Sequence, residues 1–317
     1  MTEEVVRGEE FGGRVAILLA TFDGARFLEE QLQSFEAQTH ENWRVWASDD
    51  GSRDQTLDVL NSWAAKFAAG RTSIFHGPGE GFAANFQSLI GNQNIRADYF
   101  AFSDQDDVWM GDKLERALAC LRFIDPAVPA IYCSRTEMID HIGARIGVLS
   151  PLFSRPPSFA NALVQSIAGG NTMVLNRAAR ELMARFSTLR PVSHDWWAYQ
   201  LVTGVGGRVI YDAQPSIYYR QHDANIVGGN HDWTARIRRF HIVIRGRFAA
   251  WNDINTSCLA RARPALTRES IGLLDEFEAV RSAGPVKRVV SAFNNRLYRQ
   301  TILGNIGMSA AFMMGKF

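Results

Sequence analysis

The chain has 317 residues, 46% of them hydrophobic, which is enough to bury the core of one large α/β domain with an appendage. Its formal net charge of +1 argues against a polyanion-binding surface, so we expect no nucleic acid partner. Three widely spaced cysteines fit a reducing compartment. The first ten residues are polar and acidic, unlike a secretory signal, and no apolar run reaches the roughly 20 residues of a spanning helix. We therefore expect a cytoplasmic protein.

Short apolar runs and helical patterns alternate through the first third of the chain. The apolar runs predict strands at residues 15–20, 43–48, 72–76 and 99–102. Apolar positions at helical spacing predict helices at 25–38, from 54 or 55 to 67, and at 82–90. Strands alternating with helices predict an α/β fold with a Rossmann-like, mostly parallel sheet flanked by helices.

The same alternation continues to about residue 228. A helix is predicted at 113–124, a strand at 130–134, a strand ending at 175, and helices at 178–186 and from about 194. We predict a polar leader at 1–13, a main domain at 14–228 and a C-terminal helical appendage at 229–317. The appendage mixes basic and apolar residues, which is compatible with peripheral contact with an anionic membrane or with an ordinary packed helix.

The apolar run at 99–102 leads into three carboxylates, Asp104, Asp106 and Asp107. Carboxylates this close repel one another, and a divalent cation is a common physical reason to keep them together. A cation held by one or two carboxylates keeps positions open for nucleotide phosphates. The alternative is an ordinary polar loop, because acidic residues also favour turns.

Other polar residues follow the ends of the first two predicted strands. Because ligands of doubly wound sheets bind beyond the carboxyl ends of the strands, we expect these side chains to converge on one rim with the acids. The converging residues are Thr21, Asp23, Asp49, Asp50, Asp104 and Asp106.

Four motifs occur in a characteristic order: ATFDG at 20–24, SDDGS at 48–52, SDQDDVW at 103–109 and HDWW at 194–197. Together they resemble family 2 glycosyltransferases of the GT-A fold, over about residues 15–228. The last two motifs most resemble bacterial rhamnosyltransferase-like enzymes of surface polysaccharide assembly. The resemblance implies an inverting transfer of a sugar, with L-rhamnose from dTDP-rhamnose as a candidate. The partners implied are a nucleotide-sugar donor and a saccharide or lipid-linked saccharide acceptor.

The resemblance assigns donor-binding roles to the first two motifs. It implies that Thr21, Asp23 and the pair Asp49 and Asp50 hold the nucleotide base and ribose, with Asp50 as the preferred base contact. Many family members have Asn where this chain has Asp23. A plain turn remains the alternative for the Asp-Asp-Gly-Ser sequence.

The Asp-x-Asp motif of this fold implies that Asp104 and Asp106 coordinate Mg²⁺ or Mn²⁺ bridging the sugar diphosphate. His222 could complete the metal shell and Arg220 could bind the diphosphate, although a lone histidine is more often structural. Lys113 could add positive charge nearby, or be an ordinary exposed helical lysine.

Asp195 matches the family's catalytic base, which takes the proton of the acceptor hydroxyl. The alternative is a helix cap, because Asp195 stands at the start of a predicted helix. Gly170, in the Gly-Gly-Asn-Thr sequence at 169–172, matches the segment that shapes the acceptor and donor-sugar pocket, or belongs to a plain turn.

Other protein classes fit the sequence less well. The acidic motif also matches haloacid-dehalogenase-like phosphatases, but the further acidic motif of that family is missing downstream. A catalytically inactive sugar-nucleotide-binding scaffold would keep the same acidic residues. A Rossmann dehydrogenase is disfavoured because no Gly-x-Gly-x-x-Gly follows the first strand.

Overall fold

The computed structural model describes residues 13–68, 70–222, 247–284 and 296–317. Nine strands occur within these residues and belong to one sheet. The strands are β1 (Val15–Thr21), β2 (Trp43–Asp49), β3 (Thr72–His76), β4 (Tyr99–Ser103), β5 (Val108–Trp109), β6 (Ala130–Ile139), β7 (Arg145–Leu149), β8 (Val174–Asn176) and β9 (Arg208–Arg220). Their spatial order is β3-β2-β1-β4-β8-β6-β9-β5, and β7 pairs with β6 outside this path.

Helices cover both faces of the sheet. They are α1 (Ala25–Glu36), α2 (Thr56–Ala64), α3 (Phe82–Gly91), α4 (Lys113–Leu121), α5 (Phe159–Ala162), α6 (Arg177–Ala184), α7 (His194–Gly204), α8 (Arg247–Ala262), α9 (Arg268–Ser282) and α10 (Ile302–Met313). Two hydrophobic clusters, one on each face of the sheet, contain alternate residues of β1. Every residue of β1 is buried, as expected for a strand covered on both faces.

The α/β prediction is confirmed, and the sheet is mixed. Strands β3, β2, β1 and β4 pair in parallel, whereas the short β8 pairs antiparallel to both β4 and β6. Because β8 separates them, β4 and β6 run the same way, and β9 is parallel to β6. The carboxyl ends of β1, β2, β4 and β9 therefore lie at one edge of the sheet.

The strand predicted at 130–134 is longer in the structure, because β6 continues to Ile139. Its second half is paired with β9 on one side and with β7 on the other. The pairing with β9 joins segments about 80 residues apart in the chain, which local apolar patterning does not reveal.

The C-terminal helices pack into the same hydrophobic cluster as the main sheet. Leu259 of α8, Phe277 of α9 and Phe312 of α10 belong to one buried cluster with Phe102 and Trp197. The predicted leader, apart from Gly13, and the predicted boundary at 228 lie outside the described residues. Among the described helices, none is both long enough and apolar enough to cross a membrane.

The shared core predicts a single unfolding transition. Phe312 is 2% exposed, so Phe312→Ala should lower the free energy of unfolding by about 3–5 kcal/mol and shift the whole transition in a urea titration. Ile302→Ala, on the exposed side of the same helix at 81% exposure, should change it by no more than about 0.5 kcal/mol. Two resolved transitions, only one of them moved by Phe312→Ala, would show that the C-terminal helices fold as a separate unit.

Candidate active site

The shared edge of the sheet brings residues of three predicted motifs together. Thr21, the last residue of β1, lies in register beside Asp49, the last residue of β2, and Thr21 Oγ1 donates to Asp49 Oδ1 at 2.9 Å. Strand β4 ends one residue before Asp104, and β9 ends two residues before His222. The expected convergence on one rim is thus present in the structure.

The carboxylates of the 48–52 motif hold neighbouring loops. Asp49 accepts from two backbone amides and from the hydroxyl of Ser52, the last at 2.5 Å. Asp50 accepts from the amides of Gly79 and Gly81, each at 2.7 Å. Both aspartates therefore have the turn-forming contacts of the alternative interpretation. They fix the two loops that border the edge, and their contacts with a nucleotide stay a prediction.

The loop after β1 is held by Asp23 and Gln105. Asp23 adopts a left-handed backbone with φ of 46°, and its Oδ1 accepts from the amide of Arg53 at 2.7 Å. The Gln105 amide pairs with Phe22, accepting from its N–H and donating to its carbonyl at 2.8 Å each. A Cβ on Gly24 would overlap the Gln105 amide, so a side chain there would displace this amide from Phe22. Gln105 is not among the predicted site residues, and its sequence signal is its position between the two acids of the Asp-x-Asp motif.

The three acids of the loop after β4 have different surroundings. Asp106 Oδ2 lies 2.8 Å from His222 Nε2, so the two predicted metal ligands are in contact. Asp107 is fully buried and accepts from Asn171 Nδ2 at 2.5 Å and from the amide of Arg220 at 3.2 Å. Asp107 is therefore a carboxyl group fixed in the interior, whereas Asp104 and Asp106 are half-buried at the edge.

Crowding and burial make these carboxyl groups hard to ionise. Burial and the charges of Asp106 and Asp195 raise the pKa of Asp104 to about 7, and Lys113 opposes this shift. Burial, followed by the charges of Asp106 and Asp104, raises the pKa of Asp107 well above its usual range. The charge of Asp195 contributes to this shift because α7 begins beside the end of β4, where the rings of His194 and Phe102 lie 4.7 Å apart.

Lys113 is buried beneath the acidic loop, so the expectation of an exposed helical lysine is wrong. Its side chain is fully buried, its Nζ donates to the carbonyl of Asn171, and it lies 3.6 Å from the ring centre of Trp109. Burial lowers its pKa well below the usual lysine range, against the opposing charges of Asp107 and Asp104. Lys113 is the first residue of a helix that follows an acidic loop, and nothing in this sequence context indicates that its side chain is buried.

Arg220 is also buried and braces the acidic loop from the side. Its Nε donates to the carbonyl of Asp106 at 2.9 Å, and its Nη2 lies 2.6 Å from Glu30 Oε2. Its guanidinium packs against the ring of Phe27, 4.9 Å away, and that ring also contacts His222. These contacts position the end of β9, and the predicted role of Arg220 in diphosphate binding stays a prediction.

The start of α7 is packed tightly around His194. The imidazole is buried, stacks on Phe86 with ring centres 3.8 Å apart, and has no hydrogen-bond partner for either nitrogen among the described residues. A Cβ on Gly170 would lie 2.1 Å from His194 Nε2. Gly170 therefore lets the 170–172 segment approach His194, a contact independent of its predicted pocket role.

Asp195 lies in the first turn of α7 and is half-buried. Ser193, not Asp195, occupies the capping position of the helix. The Asp195 carboxylate accepts from the amide of the next residue, Trp196, at 2.7 Å. This contact favours the helix end, as the capping alternative expects, and leaves the second carboxylate oxygen without a hydrogen bond to any described residue.

The residues at the edge fit a partial metal shell. Within the described ranges, no three His, Cys, Asp or Glu side chains are grouped closely enough to hold a metal ion by themselves. The contact between Asp106 and His222 nevertheless brings one carboxylate and one imidazole together, and the charge of Asp106 acts on the nearby Asp104. This donor set suits Mg²⁺ or Mn²⁺, which commonly take one or two protein carboxylates and complete their shell with phosphates and water.

Comparisons with known proteins agree with this architecture. The family model described as glycosyl transferase family 2 matches residues 16–182. The dTDP-rhamnosyl transferase RfbG of Shigella flexneri is 27% identical over 240 residues, which cover 71% of this chain and 78% of that protein.

Two solved structures share the fold. S. aureus TarS 1–349 in complex with UDP-GlcNAc superposes with a TM-score of 0.55 and 12% identity, covering 96% of this chain and 90% of that one. A mannosyltransferase from Pyrobaculum calidifontis, in complex with GDP-Man and Mn²⁺, superposes with a TM-score of 0.50 and 17% identity, covering 96% and 86%. The predicted GT-A fold is confirmed.

The buried histidine predicts an acid-sensitive step in stability. Burial lowers the pKa of His194 from 6.5 to about 4. The contribution of the neutral imidazole to the free energy of unfolding is fully present above pH 6.5. It is lost as the pH falls toward 4, because the unfolded chain takes up a proton that the folded chain excludes. Between pH 7 and pH 4.5, the free energy of unfolding of His194→Gln should therefore fall by roughly 2–3 kcal/mol less than that of the wild type. Urea unfolding at the two pH values measures this difference. The exposed His76→Gln should behave like the wild type, and an unchanged pH profile of His194→Gln would contradict the assignment.

Proposed function

The chain belongs to glycosyl transferase family 2, and from this membership we propose that it moves a sugar from a nucleotide donor to a saccharide or lipid-linked saccharide acceptor in cell-surface polysaccharide synthesis. The proposed donor is dTDP-L-rhamnose, supported by the similarity to a dTDP-rhamnosyl transferase and by the SDQDDVW and HDWW motifs. The transfer is proposed to invert the anomeric configuration in a single displacement.

One arrangement carries the proposal: α7 begins beside the end of β4, where the rings of His194 and Phe102 lie 4.7 Å apart, and this brings Asp195 near Asp104. Inversion needs a base on one side of the anomeric carbon and charge stabilisation of the leaving group on the other. Asp195 takes the proton from the acceptor hydroxyl while the oxygen of that hydroxyl bonds to the anomeric carbon. The bond from that carbon to the diphosphate oxygen breaks at the same time.

Asp104, Asp106 and His222 would hold the divalent metal, Mg²⁺ or Mn²⁺. When bound, the metal neutralises charge on the departing nucleoside diphosphate. The TarS and mannosyltransferase structures support the fold alone, so the metal rests on this chain's own donor set. The contact between Asp106 and His222 orients both groups toward the same edge.

The remaining predicted residues complete the donor site. Thr21, Asp23, Asp49 and Asp50 are proposed to hold the base and ribose, because they border the edge on the side of β1 and β2.

Two residues lie on the other side of the acidic loop. Gly170 is proposed to shape the sugar pocket beside α7, where it touches His194. Arg220 is proposed to support the diphosphate side, through its buried contacts with the loop of Asp106. We propose a cytoplasmic location, with peripheral contact to the inner membrane face through the C-terminal region.

The transferase proposal predicts separate effects for binding and chemistry. Asp195→Asn should keep donor affinity within about threefold, while turnover falls by about 100- to 10,000-fold, because it removes the base and leaves the donor site intact. Asp106→Ala should weaken metal-dependent donor binding. The measurements are donor affinity by calorimetry and nucleoside diphosphate release from a panel including dTDP-rhamnose and a UDP-hexose, with and without Mn²⁺ or Mg²⁺.

Asp58→Asn is the matched control, because Asp58 is an exposed carboxylate on α2. It should leave binding and turnover unchanged. Donor binding without turnover by the wild type, across all acceptors tried, would favour the inactive sugar-nucleotide-binding scaffold and leave Asp195 with its helix-end contact alone.

A further inference from the structure

Helix α10 carries an exposed apolar stripe on one side. Residues spaced three, four and seven apart on a helix share a face, and here that face is uncovered although its side chains are large and apolar. The stripe consists of Ile302 (81% exposed), Leu303 (73%), Ile306 (61%), Met313 (39%) and Met314 (51%), the last residue lying just beyond the helix.

The opposite side of α10 fixes the helix to the protein. Met308, Ala311 and Phe312 are buried, and the Phe312 ring lies 4.2 Å from that of Phe317 and 6.4 Å from that of Phe277. The helix is therefore apolar on both sides and contains no charged residue. Packing against the protein explains the apolar residues on the buried side of the helix, but it does not explain those of the exposed stripe.

The chain segments that carry and border the stripe are basic, although Arg296 is paired with Glu276 of α9 at 3.2 Å. Residues 296–317 contain Arg296, Arg299 and Lys316 and no Asp or Glu. Residues 147–158, which contact this segment, also lack acids and carry Arg155, whose guanidinium packs 3.7 Å from the ring centre of Tyr298. Lys316 and Arg155 are exposed, so positive charge flanks an apolar surface.

We propose that the stripe on α10 docks onto an anionic lipid bilayer. Apolar side chains flanked by cations suit a helix that lies in the interface, with the stripe in the acyl boundary and the cations at anionic headgroups. A second copy of the chain is a poorer occupant. A 12-residue helix is about 18 Å long and offers far less than the roughly 800 Å² per partner of a stable dimer.

Through its buried side, the docking helix is connected to the start of α7. Phe317, just after α10, lies 4.9 Å from Phe248, and Phe248 lies 6.0 Å from Trp196, the residue next to Asp195. Two ring contacts thus connect the C-terminal end of α10 with the start of α7. The benefit for transfer rests on the proposed function, because docking would keep the enzyme at the membrane that holds a lipid-linked acceptor, whereas lipid binding itself does not.

Vesicle sedimentation of the full chain tests the docking surface without any sugar nucleotide. The vesicles are phosphatidylcholine alone or with roughly one third phosphatidylglycerol. The wild type should sediment several-fold more with the anionic vesicles, and less at high salt. The triple variant Ile302→Ser, Leu303→Ser, Ile306→Ser should lose at least about tenfold in partitioning, because it removes most of the exposed apolar area.

A double variant, Phe123→Ser with Ile142→Ser, is the matched control, since these side chains are 77% and 73% exposed on other elements. It should bind like the wild type. Equal binding by the triple variant would overturn the proposal, as would a dimer in light scattering that only the triple variant loses, without vesicle binding. With a water-soluble acceptor, the triple variant should keep wild-type turnover, so loss of docking is distinguishable from loss of transfer.

Discussion

The site depends on one constraint, which is that four carboxyl groups are crowded together and partly removed from water at one edge of the sheet. Asp104, Asp106 and Asp107 lie within a stretch of four residues, and Asp195 adds a fourth carboxylate from α7. The protein partly compensates this charge with Lys113 beneath the loop and with the backbone and side chain of Arg220. The remaining excess favours a cation at the open edge, where Asp104 and Asp106 are half-buried.

The loops around this edge are held by short polar contacts to backbone groups. Aspartate side chains accept from loop amides, and the Gln105 side chain bonds both the amide and the carbonyl of Phe22. These bonds replace the hydrogen bonds that the strands lose where they end. The same side chains that make a donor site polar therefore also give it a defined shape before any ligand arrives. Preorganisation of this kind lowers the entropy cost of binding.

Much of this architecture follows from local pattern. Apolar runs located six of the nine described strands and missed β5, β7 and β9. The parallel arrangement of β1, β2 and β4 made their acidic ends converge, because carboxyl ends of parallel strands share an edge. The burial of Lys113 could not be predicted, since a lysine in a first helical turn is normally solvated. Gln105, Glu30 and Asn171 act through partners between 64 and 190 residues away, and no local rule reports such distant contacts.

The short strand β8 has a consequence for protein engineering. The segment before it carries Asn171, whose side chain bonds Asp107 while its carbonyl accepts from Lys113. A graft of residues 169–172 from a relative, made to change the sugars that the enzyme accepts, would therefore also alter the buried charges under the Asp-x-Asp loop. Chimeras need to transfer Asn171 together with its two partners, so that the three residues are exchanged as one unit.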